Sequence, residues 1–246
     1  MEAALRKTQT LLTKDLMDLV KNPTVLICCL MPVGFTLFYQ FTIGKNGDGS
    51  PESAAFITAF LLSIALCTTA GMVSMTAAAT ALAEEKEKHT LRTLMLANVG
   101  AGQIVASRAV VALAAVAIID TVCFFVVGAS REMLLPYLVI GVVGAVPIVL
   151  VSLLMGLAAR DQMTASLYAT PVFILAIAPM VGNMSEEAAE VIRFFPTGGM
   201  DALLKLLLDE RLFTTDALMP AAITLAWIAV AAGAFALLYR RLVRDN

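Results

Sequence analysis

The sequence predicts an all-α integral membrane protein. Six transmembrane helices follow an N-terminal interfacial amphipathic helix, and two short outer helices lie between the fifth and sixth spans. Three observations carry this reading. The chain is 60% hydrophobic and 15% charged over 246 residues, with a mean hydropathy of +0.88. Soluble domains run about 45–50% apolar and about 25% charged, so this composition cannot furnish a soluble surface. Six runs reach the roughly 20 apolar residues that cross a hydrocarbon core about 30 Å thick. A charged, two-faced stretch precedes the first run, as in helices that lie in the membrane interface. The net charge of −2 lacks the basic surplus that nucleic-acid partners require.

The interfacial helix occupies residues 1–22. Leu5, Leu12, Leu16 and Leu19 share one helical face, and Lys7, Lys14, Asp18 and Lys21 share the other. Lys7, Lys14 and Lys21 are thereby aimed at anionic headgroups. Asn22-Pro23 ends the helix and turns the chain into the bilayer. The charged stretch ahead of the first span excludes reading that span as a cleaved signal peptide.

The spans run Thr24 to Ile43, Ala54 to Leu82, Ile104 to Gly128, Leu135 to Ala159, Thr164 to Val181 and Leu218 to Tyr239. The second is long enough to leave the bilayer on its cytoplasmic side. Pro171 and Pro179 interrupt the fifth, which membrane helices tolerate. Lys and Arg bias sets the orientation. The outer segments hold Lys45, Arg131, Arg193, Lys205 and Arg211, five of the 17 basic residues, which leaves twelve inside and both termini cytoplasmic. Cys28, Cys29, Cys67 and Cys123 lie in apolar runs, far from any CxxC pair, and read as buried hydrophobes.

Residues 182–217 are expected to form an outer helical cap. Ser185 is placed as N-cap of a first helix with Glu186 and Glu187 in its opening turn. Pro196-Thr197-Gly198-Gly199 breaks it, and a second follows. There Asp201, Lys205 and Asp209 oppose Leu203, Leu204, Leu207 and Leu208. Ala70, Gly71, Ser74, Ala77 and Ala78 in the second span, and Ala229 with Gly233 in the sixth, are small residues suited to close helix packing.

No catalytic constellation, metal-ligand spacing or phosphate-binding GxxxxGK[ST] loop is present in the sequence, so neither enzyme nor cofactor chemistry is expected of this chain. Asp120 is the one carboxylate deep within a span, where a charge costs several kcal/mol unless protonated, paired or wetted. Two readings of it stay open: a functional acid, or an acid hydrogen-bonded to a neighbouring hydroxyl or held neutral. Thr58, Thr69, Thr76 and Thr80 line up on the second span. They supply either a polar path, with Asp120, Thr69 and Thr76 as its residues, or hydroxyls bonded back to helix carbonyls.

The cytoplasmic segment 83–103 is the most informative. Its charge run Glu84-Glu85-Lys86-Glu87 passes into a short helix with Leu91, Leu94 and Met95 on one face, an apolar face that needs a cover. This run resembles the permease subunits of type-2 ABC exporters, whose signature here reads Glu-Lys-Glu, Gly-Thr-Leu-Glu, Leu-Leu, Ser-Pro-Val. Glu85-Lys86-Glu87 and Thr90-Leu91 match, as does the apolar Leu94; His89, Arg92 and Asn98 depart from the family's glycine, glutamate and proline. The interfacial helix, six spans and paired outer helices extend the resemblance over nearly the whole chain.

The resemblance implies a transport subunit without its own ATPase site. Glu84, Glu85, Lys86, Glu87, Thr90, Leu91, Arg92, Leu94 and Met95 would form the coupling element seated on a separate ABC ATP-binding subunit, which would hold ATP and Mg. A second permease protomer, identical or related, would complete the path in a bacterial plasma membrane. A secondary carrier using Asp120 as a proton or cation site is the alternative; it predicts internal repeats and broken helices in matching halves, which the sequence lacks.

Overall fold

The computed structural model describes residues 2–44, 50–88, 90, 100–182 and 186–244, with side chains left undescribed at 2–10, 24, 101, 186 and 240–244. His89 and the segment 91–99, with Leu91, Arg92, Leu94 and Met95, fall outside the described residues, as does Ser185. Helices make up the architecture, and no strand occurs among the described residues. In order they are α1 (Glu2–Lys21), α2 (Pro23–Thr42), α3 (Pro51–Val73), a π-helical segment (Ser74–Thr80) and α4 (Ala81–Glu87). Then come α5 (Ala101–Val127), α6 (Leu134–Ala158), α7 (Gln162–Gly182), α8 (Glu186–Ile192), α9 (Gly198–Leu208) and α10 (Leu218–Arg244).

Six of these stretches are long and apolar enough to cross a membrane. Their bounds agree with the hydropathy reading to within a few residues, because length and apolarity are what a bilayer selects. The second is the exception in length: α3, the π segment and α4 form one continuous rod, Pro51–Glu87, of 37 residues. Its N-terminus is capped by Ser50, whose hydroxyl accepts from the Ser53 amide at 3.2 Å. Pro171 and Pro179 sit inside α7 without breaking it.

The long rod is the axis of the bundle. Two thirds of its most apolar window (67%) is buried inside the chain, against 11% for that of the last span. α2, α5, α6, α7 and α9 all pack on it. Small side chains permit this, as the spacing of Ala70, Gly71, Ser74, Ala77 and Ala78 predicted, and all five are buried. Gly156 of α6 shows the closeness: a methyl added there would meet the Ala79 carbonyl oxygen at 2.6 Å. Ala229 and Gly233 behave otherwise; both are exposed, and a methyl added at Gly233 would meet nothing within 4 Å among the described residues, so that face of α10 is bare there. All four cysteines are free; three are buried and Cys28 is half-buried.

Two local readings are corrected. Gly198 and Gly199 do not belong to a break but open α9, buried in its first turn. The polar side of α9 is not uniformly outward: Asp201 is buried together with Met200 and Leu204, because a serine of α3 receives it. α9 therefore packs into the bundle against α3 and α6, with its backbone nearly touching α10.

Candidate functional site

The densest concentration of charge lies where α1, α4 and the start of α5 converge. Helical spacing brings Asp15 and Asp18 of α1 towards Ser107 and Arg108 of α5, while the rod's end delivers Glu84 and Glu85. The side chains of Arg108, Asp15 and Glu85 are 3%, 1% and 7% exposed, so this is a buried ion network rather than a surface pair. Arg108 donates to Glu85 Oε1 at 2.8 Å and lies 3.3 Å from Asp15 Oδ1 and 3.8 Å from Asp18 Oδ2. Lys14 donates to the same Glu85 oxygen and stands 3.4 Å from Asp18 and 3.7 Å from Asp15. The Ser107 hydroxyl donates to Asp15 Oδ2 at 2.6 Å.

Burial pushes the Asp15 carboxyl above its usual range, against the opposing pull of Arg108 and the Ser107 hydrogen bond. For Lys14 burial acts downward, but the hydrogen bond and charge of Glu85 outweigh it, and its pKa is raised. Carboxylate oxygens of Asp15, Asp18 and Glu85 come within 4.8 Å of one another, close enough to share a metal ion. Lys14 and Arg108 already provide positive charge at those oxygens, so the cluster is matched within the chain.

The remaining members of the charge run bind other elements. Glu84 accepts from Asn22 Nδ2 at 3.1 Å and Lys88 Nζ at 2.5 Å. Lys86 Nζ donates to the carbonyls of Leu157 and Ala159 at 2.7 and 2.6 Å, capping the C-terminal end of α6 where the helix dipole favours a cation. Glu87 Oε2 accepts from the Gln162 amide at 3.1 Å, at the N-terminus of α7. Asp161 adds a cap to the same end through the Thr164 amide at 2.7 Å. Thr90 Oγ1 returns to the Glu85 carbonyl at 3.1 Å. Four successive charged side chains thus tie one helix end to α1, α2, α5 and the α6–α7 turn. Beside them opens a cleft of about 430 Å³, lined by Lys14, Asp18, Lys21, Asn22, Glu84, Lys88 and Thr90 among others.

The sequence placed Lys14 towards headgroups; the structure turns it to Glu85, while Lys21 stays exposed and Lys7 lies outside the described side chains. Three apolar side chains of α1 are exposed as well, Leu16, Met17 and Val20. Asp15 is not among the residues that the sequence singles out. A carboxylate three residues after Leu12 is its only local signal, and solvated helix faces carry that spacing just as readily. Arg108 counts in the sequence only towards the cytoplasmic charge bias.

Deeper in the bundle a second polar group forms. Asp120 of α5 is fully buried, and the Thr69 hydroxyl faces its carboxyl without reaching hydrogen-bond geometry. Thr58, Thr76 and Thr80 bond back to carbonyls one turn earlier; Thr69 does not, and its hydroxyl is unpartnered among the described residues. Thr76 also contacts Cys29 at 3.5 Å and lines a groove of about 300 Å³ between α2, the π segment and α7. Asp120 and Thr69 are therefore together, and Thr76 is apart from them. In comparison with known proteins, the chain matches no family model and no curated protein.

Proposed function

We propose that this chain is the membrane subunit of an ATP-driven exporter of the type-2 ABC kind, which it resembles in its Glu85-Lys86-Glu87 and Thr90-Leu91 segment. The observation that carries the reading is the anchoring of that segment. Glu84, Glu85, Lys86 and Glu87 join the rod's end to α1, α2, α5 and the α6–α7 turn. Force applied to residues 90–99 would reach the bundle through these joints. In this reading a separate ABC ATP-binding subunit, carrying ATP and Mg, seats the segment around Thr90 to Leu96. Two states of the bundle are then biased by nucleotide, as coupling requires.

The same reading puts α1 in the interface, with Leu16, Met17 and Val20 towards lipid. It assigns both termini to the cytoplasm, α8 and α9 to the outer side, and the whole to a bacterial plasma membrane. A second protomer completes the path, and bare apolar faces such as that of α10 are covered by it or by lipid.

The test is a pull-down of the full chain in detergent, wild type against Leu91→Asp plus Leu94→Asp. The wild type is expected to bring down an ATP-hydrolysing subunit and the double variant to lose it while remaining folded. Recovery of no ATPase by the wild type sinks the reading. A secondary carrier then becomes the leading alternative, favoured by one observation: the unpaired, fully buried Asp120.

A further inference from the structure

Asp120 differs from every other described acid in the bundle core. Its residue is 0% exposed, and neither carboxyl oxygen has a hydrogen-bond partner among the described residues. Among the described residues, the elements packed around it present no cation to it. α3 offers Thr69 and Cys67, α6 offers Tyr137, and Cys123 lies one turn along α5 itself. The Tyr137 hydroxyl is likewise fully buried and unpartnered among the described residues.

The packing is tight. A methyl group added at Gly141 of α6 would lie 2.7 Å from Asp120 Oδ2 and 2.7 Å from Leu66 Cδ2. A metal ion needs several oxygen ligands at defined distances, with space for itself among them. A proton needs none. An ionised carboxylate in such surroundings has no compensating partner, whereas a carboxylic acid is accommodated.

One direction out of this pocket is polar. Cys67 is fully buried one turn along α3 from Ser63, which is buried too, and stands two residues before Thr69. Ser63 donates to Asp201 Oδ1, and Asp201 pairs with Lys205 at 2.8 Å. The Lys205 side chain is 46% exposed. Asp201 thus has the counter-ion that Asp120 lacks.

We propose that Asp120 is a proton-binding site, protonated while the α3–α5–α6 junction is closed, that exchanges its proton with the Asp201 end of the bundle past Cys67 and Ser63. In the transfer Asp120 gives up its Oδ–H proton and becomes a carboxylate. Cys67 and Ser63 each accept one proton and pass on their own. Asp201 receives the last and returns it to solvent beside Lys205. No heavy-atom bond changes and no electron is transferred. The gap between Asp120 and Cys67 carries no hydrogen bond, so exchange requires the junction to open and is slow while it is shut.

The experiment is infrared difference spectroscopy on the full chain in lipid nanodiscs at neutral pH, without nucleotide or partner. Its outcome is therefore separate from the ATP-driven reading. The wild type is expected to show a protonated-carboxyl C=O band that Asp120→Asn lacks, that Asp120→Glu shifts, and that Asp201→Asn retains. After transfer to D2O the band should shift slowly, and more slowly still in Ser63→Ala and Asp201→Asn. If no carboxyl band is lost in Asp120→Asn, Asp120 is ionised and the proton site is overturned. If the band is lost but exchanges at the same rate in Ser63→Ala and Asp201→Asn, the route past Ser63 is overturned.

Discussion

Arg108 is the residue on which the charged joint at the rod's end depends. Among the described residues it alone is a nearly fully buried cation, and it faces Asp15 and Glu85, both also buried. Removing one member of such a group leaves uncompensated buried charge, a loss of about 3–5 kcal/mol. Arg108→Ala should therefore lower the thermal unfolding midpoint in nanodiscs far more than Lys14→Met. Lys14 is over a third exposed, so its pairs are worth about 1 kcal/mol or less. Equal effects of the two variants would show that the network is not organised around Arg108. The pH response follows from two raised pKa values. The Lys14 contribution is complete at neutral pH and is lost only as pH climbs above the ordinary 10.5. Asp15 is penalised when ionised, so that cost disappears as pH falls through its raised pKa towards 3.8. Melting of wild type and Asp15→Asn at neutral and mildly acidic pH should thus move the difference in the wild type's favour on acidification. Movement the other way would mean Arg108 and Ser107 dominate over burial.

At the scale of elements, the spans were legible because a bilayer imposes one simple requirement, about 20 apolar residues, that a single sequence displays. Pro171 and Pro179 made α7 look fragile, yet α7 is continuous, since proline forfeits few bonds that its neighbours cannot replace. The inward faces were less legible. On α1 the leucines suggested one apolar side; among the described side chains Leu19 does pack on the core and Leu16 is exposed, while the buried residues are Leu11 and Asp15. Asp15 owes its place to Ser107 and Arg108, far along the chain, and local periodicity cannot reveal such a partner. The same holds for Asp201 and Ser63. Lys86 offers a direct test of an element joint. Lys86→Met removes both donors from the α6 C-terminus and should raise amide hydrogen exchange across residues 157–163, leaving exchange in the rod's centre unchanged. Unchanged protection at that turn would mean Glu87 and Asp161 suffice to hold it.

At the scale of the whole molecule, burial is graded from the rod outward, and spans such as α2, α7 and α10 offer large apolar surfaces to whatever surrounds them. Two differently tagged copies expressed together should co-purify if a second copy covers part of that surface; strict separation would leave a related chain or lipid as the cover. The Ser74–Thr80 segment has a consequence for the same whole. A π turn holds an extra residue compared with an α turn. Everything beyond it is therefore set at an azimuth that an uninterrupted α-helix would not give. Were the same seven residues wound as α-helix instead, Ala81–Glu87 would be rotated by about 100° about the rod's axis, the turn of the one extra residue. Glu85 would swing off Arg108 and Lys86 off the α6 carbonyls together, while the apolar portion near Leu61–Leu66 kept its bearing. The segment thus works as a keyway, fixing the angle at which the membrane half of the rod and its charged tip are locked to each other.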